Sequence, residues 1–365
     1  MDVKVITRHG PSNYGSLLQT IATQRVIESM GHRCEIIDYQ RDDERGLLSI
    51  MTQLSKKPGW NDNPLKKAIY VAMRWPMEAL AQRKFDAMRR RHIVMTPRIA
   101  TADGLKGLDA DVFMTGSDQV WGPVAAERYD GAYFLDFVDG RRKVSYAGSF
   151  GRTVFDDDTL ARYRDMLSRY DAIAVRENAA VDTLRGMGIE AAGQVLDPTL
   201  LLDSQEWSRM IGRDVPGRYV LVYQLHNNPA LDRYAVRVAE RRGLPLYRVS
   251  ASLHQARRGG RFKFLPDLGG FLSYIQNAEC MVTDSFHGTA FAINFNTPFI
   301  EILPGNGTSS RNQSILQLTG LQDRIVTDME DFSILDRQID FRPVNEIIAR
   351  EREKSLAMMR QLIEG

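Results

Sequence analysis

Strand, glycine-containing loop, helix and strand follow one another within the first 40 residues, and that order constrains the fold more than any other feature of the chain. Residues 3–6 are a short apolar run of β type, and residues 9–16 are a loop of Gly, Pro, Ser and Asn. Leu17, Leu18, Ile21, Ala22, Val26 and Ile27 then recur at helical spacing until Gly31 stops the helix, and residues 34–39 read as the next strand. A βαβ crossover of this kind puts two parallel strands in one sheet with the helix on its face. Apolar runs at 111–115, 144–147 and 172–175 add further strands before Gly116, Gly148 and Arg176. After a polar stretch near 203–217, closed by Pro216-Gly217, the pattern resumes. It gives strands at 219–223, 246–249, 280–283 and 299–303, and helices near 229–242, 268–277 and 290–295. The chain reads as α/β, with two Rossmann-like domains facing a cleft. Residues 1–212 form the first domain, with a basic helical insertion at about 47–95; residues 213–342 form the second; and residues 343–365 are a charged helix that packs back across the junction.

The 365 residues are enough for two cores, and 43% hydrophobic with 26% charged residues excludes collagenous, low-complexity and disordered classes. No apolar run is long enough to span a bilayer, the first residues do not read as a signal peptide, and a cytoplasmic protein is expected. Cys34 and Cys280 make no disulfide framework, and no CxxC or HExxH spacing points to a metal, so neither a metal nor a cofactor is expected. GxxxxGK[ST], GxSxG and an early GxGxxG are also missing, which disfavours P-loop, α/β-hydrolase and dinucleotide chemistry. Residues 56–91 hold ten basic residues, beginning with Lys56 and Lys57, against three acidic ones. Such a segment, which also carries Trp60, Tyr70 and Trp75, either meets an anionic membrane face or an acidic partner, or is a solvated face of an inserted helical pair. Nucleic acid is not expected at a net charge of +2 without a recognition signature.

The chemistry gathers where strands end. An apolar strand closes at Thr283, and a helix has to begin near His287, so His287 stands at a strand's carboxyl end and a helix's amino end. Backbone N–H groups and the helix dipole favour an anion there, and Gly288 would let a ligand approach the backbone. An anionic substrate bound at this point would favour imidazolium and make His287 a proton donor. Arg176, which follows the strand at 172–175, and Arg311, in the Gly/Ser-rich stretch 305–312, would face the same rim. Two cations and a titrating imidazole suit a small, doubly charged anion. On the other side, Asn13-Tyr14-Gly15-Ser16, Gly116-Ser117-Asp118-Gln119-Val120-Trp121 and Tyr146-Ala147-Gly148-Ser149-Phe150-Gly151 all follow strands. Their amide, hydroxyl and aromatic groups are of the kind that hold sugars, and Asp118 could act as base for an acceptor hydroxyl. Taken singly, Ser117 and Ser149 read more readily as turn or cap residues.

In this order, these segments resemble the polysaccharide pyruvyl transferase family: Asn13-Tyr14-Gly15 with Leu18-Gln19; Gly116-Ser117-Asp118-Gln119-Val120-Trp121; Ser145-Tyr146-Ala147 through Ser149-Phe150-Gly151; Val175-Arg176-Glu177; Leu196-Asp197-Pro198-Thr199-Leu200-Leu201; and Thr283-Asp284-Ser285-Phe286-His287-Gly288. The resemblance implies a fold like that of the two-domain GT-B glycosyltransferases, with the first domain on the acceptor side and the second on the donor side. It implies phosphoenolpyruvate as donor, a saccharide or lipid-linked glycan as acceptor, and a pyruvate ketal as product. Donor contacts would come from Arg176, Ser285, Phe286, His287, Gly288 and Arg311. Acceptor contacts would come from Asn13, Tyr14, Gly15, Ser117, Gln119, Trp121 and Ser149, with His287 and Asp118 as the catalytic pair. Some members carry Arg-Leu before the motif His where this chain has Ser285-Phe286. Arg311 or one of Arg257, Arg258, Arg261 and Lys263 is then the replacement cation. A GT-B glycosyltransferase using a nucleotide sugar, or a non-catalytic saccharide-binding subunit, is the alternative reading.

Overall fold

The computed structural model describes the whole chain except residues 42, 43, 45, 56–58, 123–128 and 306–308. Lys56 and Lys57 of the basic segment, and Asn306, Gly307 and Thr308 of the stretch before Arg311, lie outside the described residues. The first half runs β1 (Asp2–Ile6), α1 (Tyr14–Ser29), β2 (Arg33–Ile36), α2 (Gly46–Ser55), α3 (Pro64–His92), α4 (Ala102–Leu105), β3 (Val112–Thr115), β4 (Arg142–Gly148), α5 (Asp157–Leu167), β5 (Ala172–Val175), α6 (Asn178–Gly186) and β6 (Gly193–Gln194). After α7 (Ser204–Ser208) the second half runs β7 (Val220–Tyr223), α8 (Pro229–Arg242), β8 (Leu246–Ser250), β9 (Arg261–Phe264), α9 (Leu268–Gln276), β10 (Cys280–Thr283), α10 (Phe286–Phe295), β11 (Phe299–Glu301), α11 (Ser310–Thr319) and α12 (Phe341–Glu364). Strands such as β3 and β7 are buried at every position, as parallel strands covered on both faces must be.

The strand orders are β2-β1-β3-β4-β5-β6 and β11-β10-β7-β8-β9, and every pairing between named strands is parallel. Each order reverses once, between β1 and β3 in the first sheet and between β7 and β10 in the second. A reversal splays the crossover helices to opposite faces and opens a crevice at the carboxyl ends, where ligands settle in open α/β sheets. Those ends carry Arg8 and Ser117-Asp118 in one half, and His226, Asp284 and His287 in the other.

The halves share one apolar cluster that includes Tyr14 and Leu18 from the first and Tyr223, Phe271 and Phe286 from the second. Tyr14 pins them together: its ring stacks on Phe271 at 4.3 Å, and its hydroxyl donates to the Pro266 carbonyl at 2.6 Å. Helix α12 returns to the first half, where its Leu362 carbonyl accepts from Arg142 Nε at 2.9 Å and Ser355 Oγ accepts from the Leu196 amide. Two strands escaped the sequence reading, the two-residue edge strand β6 and β9. Residues 261–264, read only as a source of cations, form the edge strand β9, because Phe262 and Phe264 alternate with Arg261 and Lys263. Arg311 likewise lies in the first turn of α11 rather than in a loop.

Candidate active site

The site grows from four strand ends. At the end of β5, Arg176 is buried; its Nη1 donates to Asp197 Oδ2 at 2.7 Å and to Ser117 Oγ at 3.3 Å, and its guanidinium lies 4.6 Å from the Phe286 ring centroid. Asp197 also accepts from Ser117 Oγ at 2.9 Å and from the Thr199 amide and hydroxyl. Burial alone would raise the Asp197 carboxyl, but His287, Arg176 and the Thr199 amide hold it far below the usual carboxylate range. The imidazole of His287 comes from the other half, 5% exposed, with Nε2 3.7 Å from Asp197 Oδ2. That distance allows an ionic contact and is too long for a hydrogen bond.

His287 is placed by both halves. Ser285 caps α10 through Gly288 N at 3.2 Å, which sets His287 in the first turn. Across the junction the ring lies over Gly15: a Cβ there would fall 2.2 Å from His287 Nδ1. Only a residue without a side chain lets α1 come this close. Gly288 is needed for packing in any case, since a Cβ on it would meet Thr283 Oγ1 at 2.6 Å.

At the end of β3, Asp118 takes a left-handed φ of 78°, uncommon outside Gly. Its carboxylate accepts from Ser16 Oγ at 2.7 Å and from the Gln119 amide at 2.8 Å, and Arg311 Nη1 stands 3.9 Å away. Burial would raise it, yet Arg8, His287, Arg176 and Arg311 hold it far below the usual range. A carboxylate so stabilised as an anion, with both oxygens engaged, is a poor base, so the expected role of Asp118 as the acceptor's base is replaced by that of a fixed counter-charge. Burial, followed by the Arg176 guanidinium, pushes Arg311 down to about 10. Two buried cations therefore stand near one another without full compensation. Three buried nitrogen atoms in this region have no hydrogen-bond partner among the described residues: Arg176 Nη2, Arg311 Nε and His287 Nε2. Unpaired buried donors are costly, and a cluster of them is an arrangement that an anion would satisfy.

Most of the expected acceptor residues have other employment. Trp121 is fully buried under Gly148, among Phe134, Phe150 and Tyr170, so its ring offers no face to a sugar. Tyr14 is the junction pin, Asn13 caps α1 through Ser16 N, Ser117 donates to Asp197, and Ser149, itself buried, donates to Glu177 at 2.6 Å. Gln119 is partly exposed and packs against Gly151. On the donor side, Ser285 is a cap and Phe286 a platform for Arg176. Arg261 and Lys263 lie over the Tyr247 ring, and Arg258 donates to Asn227 Oδ1, whereas Arg311 acts on Arg176 and Asp118. Sequence reasoning gave no role to Arg8, Asp197, Asp284 or His226. Asp284 accepts from the amides of Leu225 and His226, and it meets His226 Nδ1 at 3.2 Å. Their signal was position, a charged or titratable residue within three residues of a parallel strand's carboxyl end.

The family model for polysaccharide pyruvyl transferase matches residues 13–304. The chain belongs to the polysaccharide pyruvyl transferase family. Among curated proteins, none matches the sequence. Solved structures resemble this pyruvyl transferase family member in fold. A Listeria monocytogenes protein described as a UDP-N-acetylglucosamine 2-epimerase is 11% identical, covers 100% of this chain and 97% of its own, and has a TM-score of 0.56. The UDP-GlcNAc 2-epimerase of Methanocaldococcus jannaschii is 12% identical over 100% of both chains, with a TM-score of 0.51. A spinosyn rhamnosyltransferase is 12% identical, covers 99% and 100%, and scores 0.47. The likeness to the two epimerases makes the architecture GT-B-like, and the two sheets bring the motif residues Arg176 and Phe286-His287 to one junction.

Proposed function

We propose that this transferase moves the pyruvyl group of phosphoenolpyruvate onto two hydroxyls of a sugar, in a polysaccharide or lipid-linked glycan precursor, as a ketal, releasing phosphate. The observation that supports this reading is the trio of unpartnered buried donors on Arg176, Arg311 and His287. A ligand that carries a carboxylate and a phosphate on one carbon supplies anionic oxygens for all three, and a bound dianion against Nε2 would make His287 a proton donor.

His287 gives its proton to the methylene carbon, which becomes a methyl group, while the first sugar hydroxyl bonds to the carboxylate-bearing carbon. That hydroxyl's proton passes to His226, whose Nδ1 faces Asp284. The bond from this carbon to the phosphate oxygen then breaks with its electron pair going to phosphate. The second hydroxyl bonds to the carbon and its proton leaves as hydrogen phosphate. The proton lost by His287 and the one gained by His226 balance through solvent. Arg176 and Arg311 stabilise the carboxylate and the departing phosphate.

Calorimetric titration tests the donor. Phosphoenolpyruvate should bind saturably, UDP-N-acetylglucosamine should not, and Arg311→Ala should weaken the binding at least tenfold. His287→Asn should keep binding while losing phosphate release with a pool of saccharide acceptors. A UDP-sugar that binds where phosphoenolpyruvate does not would move the chain's activity to nucleotide-sugar chemistry.

A further inference from the structure

The helical pair α2 and α3 is inserted between β2 and β3 and exposes an unusual share of the molecule's apolar surface. Of the fourteen large apolar side chains exposed among the described residues, nine lie between positions 47 and 80. On α3, Leu65, Ile69, Met73 and Leu80 recur at spacings of four, four and seven, so they form one stripe along the helix; Met73 is 70% exposed and Leu65 69%. A small inner cluster of Ile50, Leu54 and Tyr70 already joins α2 to α3, so the stripe is not what holds the pair together. Around it the charge is one-sided: α3 holds eight Lys and Arg residues against two acidic ones, in a chain whose net charge is +2.

The second half of α3 is fixed. Phe85 packs against Tyr14 at 5.1 Å, and Arg89 donates to the carbonyls of His9 and Gly10 in the loop after β1. The stripe starts beside this anchored half at Leu80 and runs past Pro76 to Met73, Ile69 and Leu65 on the same helix. A cavity of about 260 Å³ on another face of α3 is lined by Trp75, Ala79, Arg83 and Arg90 together with the acidic Glu78 and Asp86, so the one-sided charge belongs to the helix as a whole and not to this cavity. Contiguous exposed apolar surface on a soluble fold marks a docking face, and a basic surround selects an anionic partner. No helix among the described residues is long and apolar enough to cross a membrane.

We infer that the exposed face of α2 and α3 docks on an anionic lipid bilayer, with the Leu65–Ile69–Met73–Leu80 stripe entering the headgroup region and the flanking lysines and arginines meeting lipid phosphates. Docking there presents the cleft to the membrane surface. The inference is independent of the donor's identity, and its test uses no activity.

The full chain is sedimented with vesicles of phosphatidylglycerol and phosphatidylcholine in equal parts, and with phosphatidylcholine alone. Binding should be at least tenfold stronger to the anionic vesicles and should fall as salt rises. Ile69→Glu with Met73→Glu, both at exposed positions, should leave the melting temperature unchanged and reduce binding at least tenfold at every salt concentration. Lys66→Glu with Lys67→Glu should remove most of the salt dependence. Absence of binding at low salt overturns the inference, as does binding that the stripe substitutions leave intact. A concentration-dependent dimer that the same substitutions dissolve would assign the face to a second copy and overturn it equally.

Discussion

Gly15→Ala sets two effects of opposite sign against each other. Gly15 lies in the first turn of α1, and its φ is not left-handed, so alanine suits the backbone and by helix propensity alone would stabilise by up to about 1 kcal/mol. The new Cβ, however, would sit 2.2 Å from His287 Nδ1, 2.4 Å from Cγ and 2.8 Å from Cβ. Carbon contacts settle near ~3.5–4.0 Å, so the ring has to move by more than about 1 Å. The short distance to His287 Cβ means that a ring rotation does not suffice; α10 or α1 must shift, at about 1–3 kcal/mol for overpacking. A displacement of that size at a reacting group costs roughly 100-fold in rate. The expected result is a net destabilisation of about 1–2 kcal/mol, altered imidazole resonances of His287 in two-dimensional NMR, and weaker phosphoenolpyruvate binding by calorimetry. Gly186→Ala, at a helical glycine with open space around it, is the control and should be neutral or stabilising. Unchanged His287 resonances together with wild-type binding in Gly15→Ala would refute the claim that His287 is seated on α1.

Arg176→Ala removes the short-range partner of the buried Asp197 and should cost about 3–5 kcal/mol, read in a denaturant melt; a loss below about 1 kcal/mol would mean that Ser117 and Thr199 suffice to hold that charge. Glu301 is buried, and burial pushes its carboxyl up to about 8. Thr289 Oγ1 lies within hydrogen-bond reach of both the Ser285 carbonyl and Glu301, yet it has one proton to give, so a protonated Glu301 donating to it completes both bonds. A folded-state value above the unfolded one means that the contribution is full below about pH 4.3 and is lost as pH rises through about 8. Glu301→Gln should flatten that fall and leave the variant more stable than the wild type above pH 8; an unchanged pH profile would refute a neutral Glu301. Under the proposed function, in which Arg176, Arg311 and His287 meet the substrate's charge, phosphate release should survive EDTA; loss that magnesium restores would contradict this.

The sheets were legible because parallel strands buried on both faces write themselves as apolar runs with a Gly or a charge at the carboxyl end, as at 172–175 before Arg176 and 280–283 before Asp284. The acceptor side was not legible, since amides, hydroxyls and aromatics that hold sugars are the same groups that cap helices and fill cores. Asn13, Ser117, Ser149 and Trp121 are all spent on the fold, and only their burial and partners reveal it. The exchange of Arg-Leu for Ser285-Phe286 before the motif histidine shows why site chemistry has to be read in space. Ser285 uses its hydroxyl to cap α10, and Phe286 lays its ring against Arg176, so neither supplies charge. The second cation arrives from Arg311, in the first turn of α11 and close enough to Asp118 to pair with it at 3.9 Å. Arg311 is lowered to about 10, by burial and by repulsion from the Arg176 guanidinium. Under the proposed function, an anion bridging Arg176 and Arg311 would remove that repulsion, and its relief would contribute to the affinity of the site.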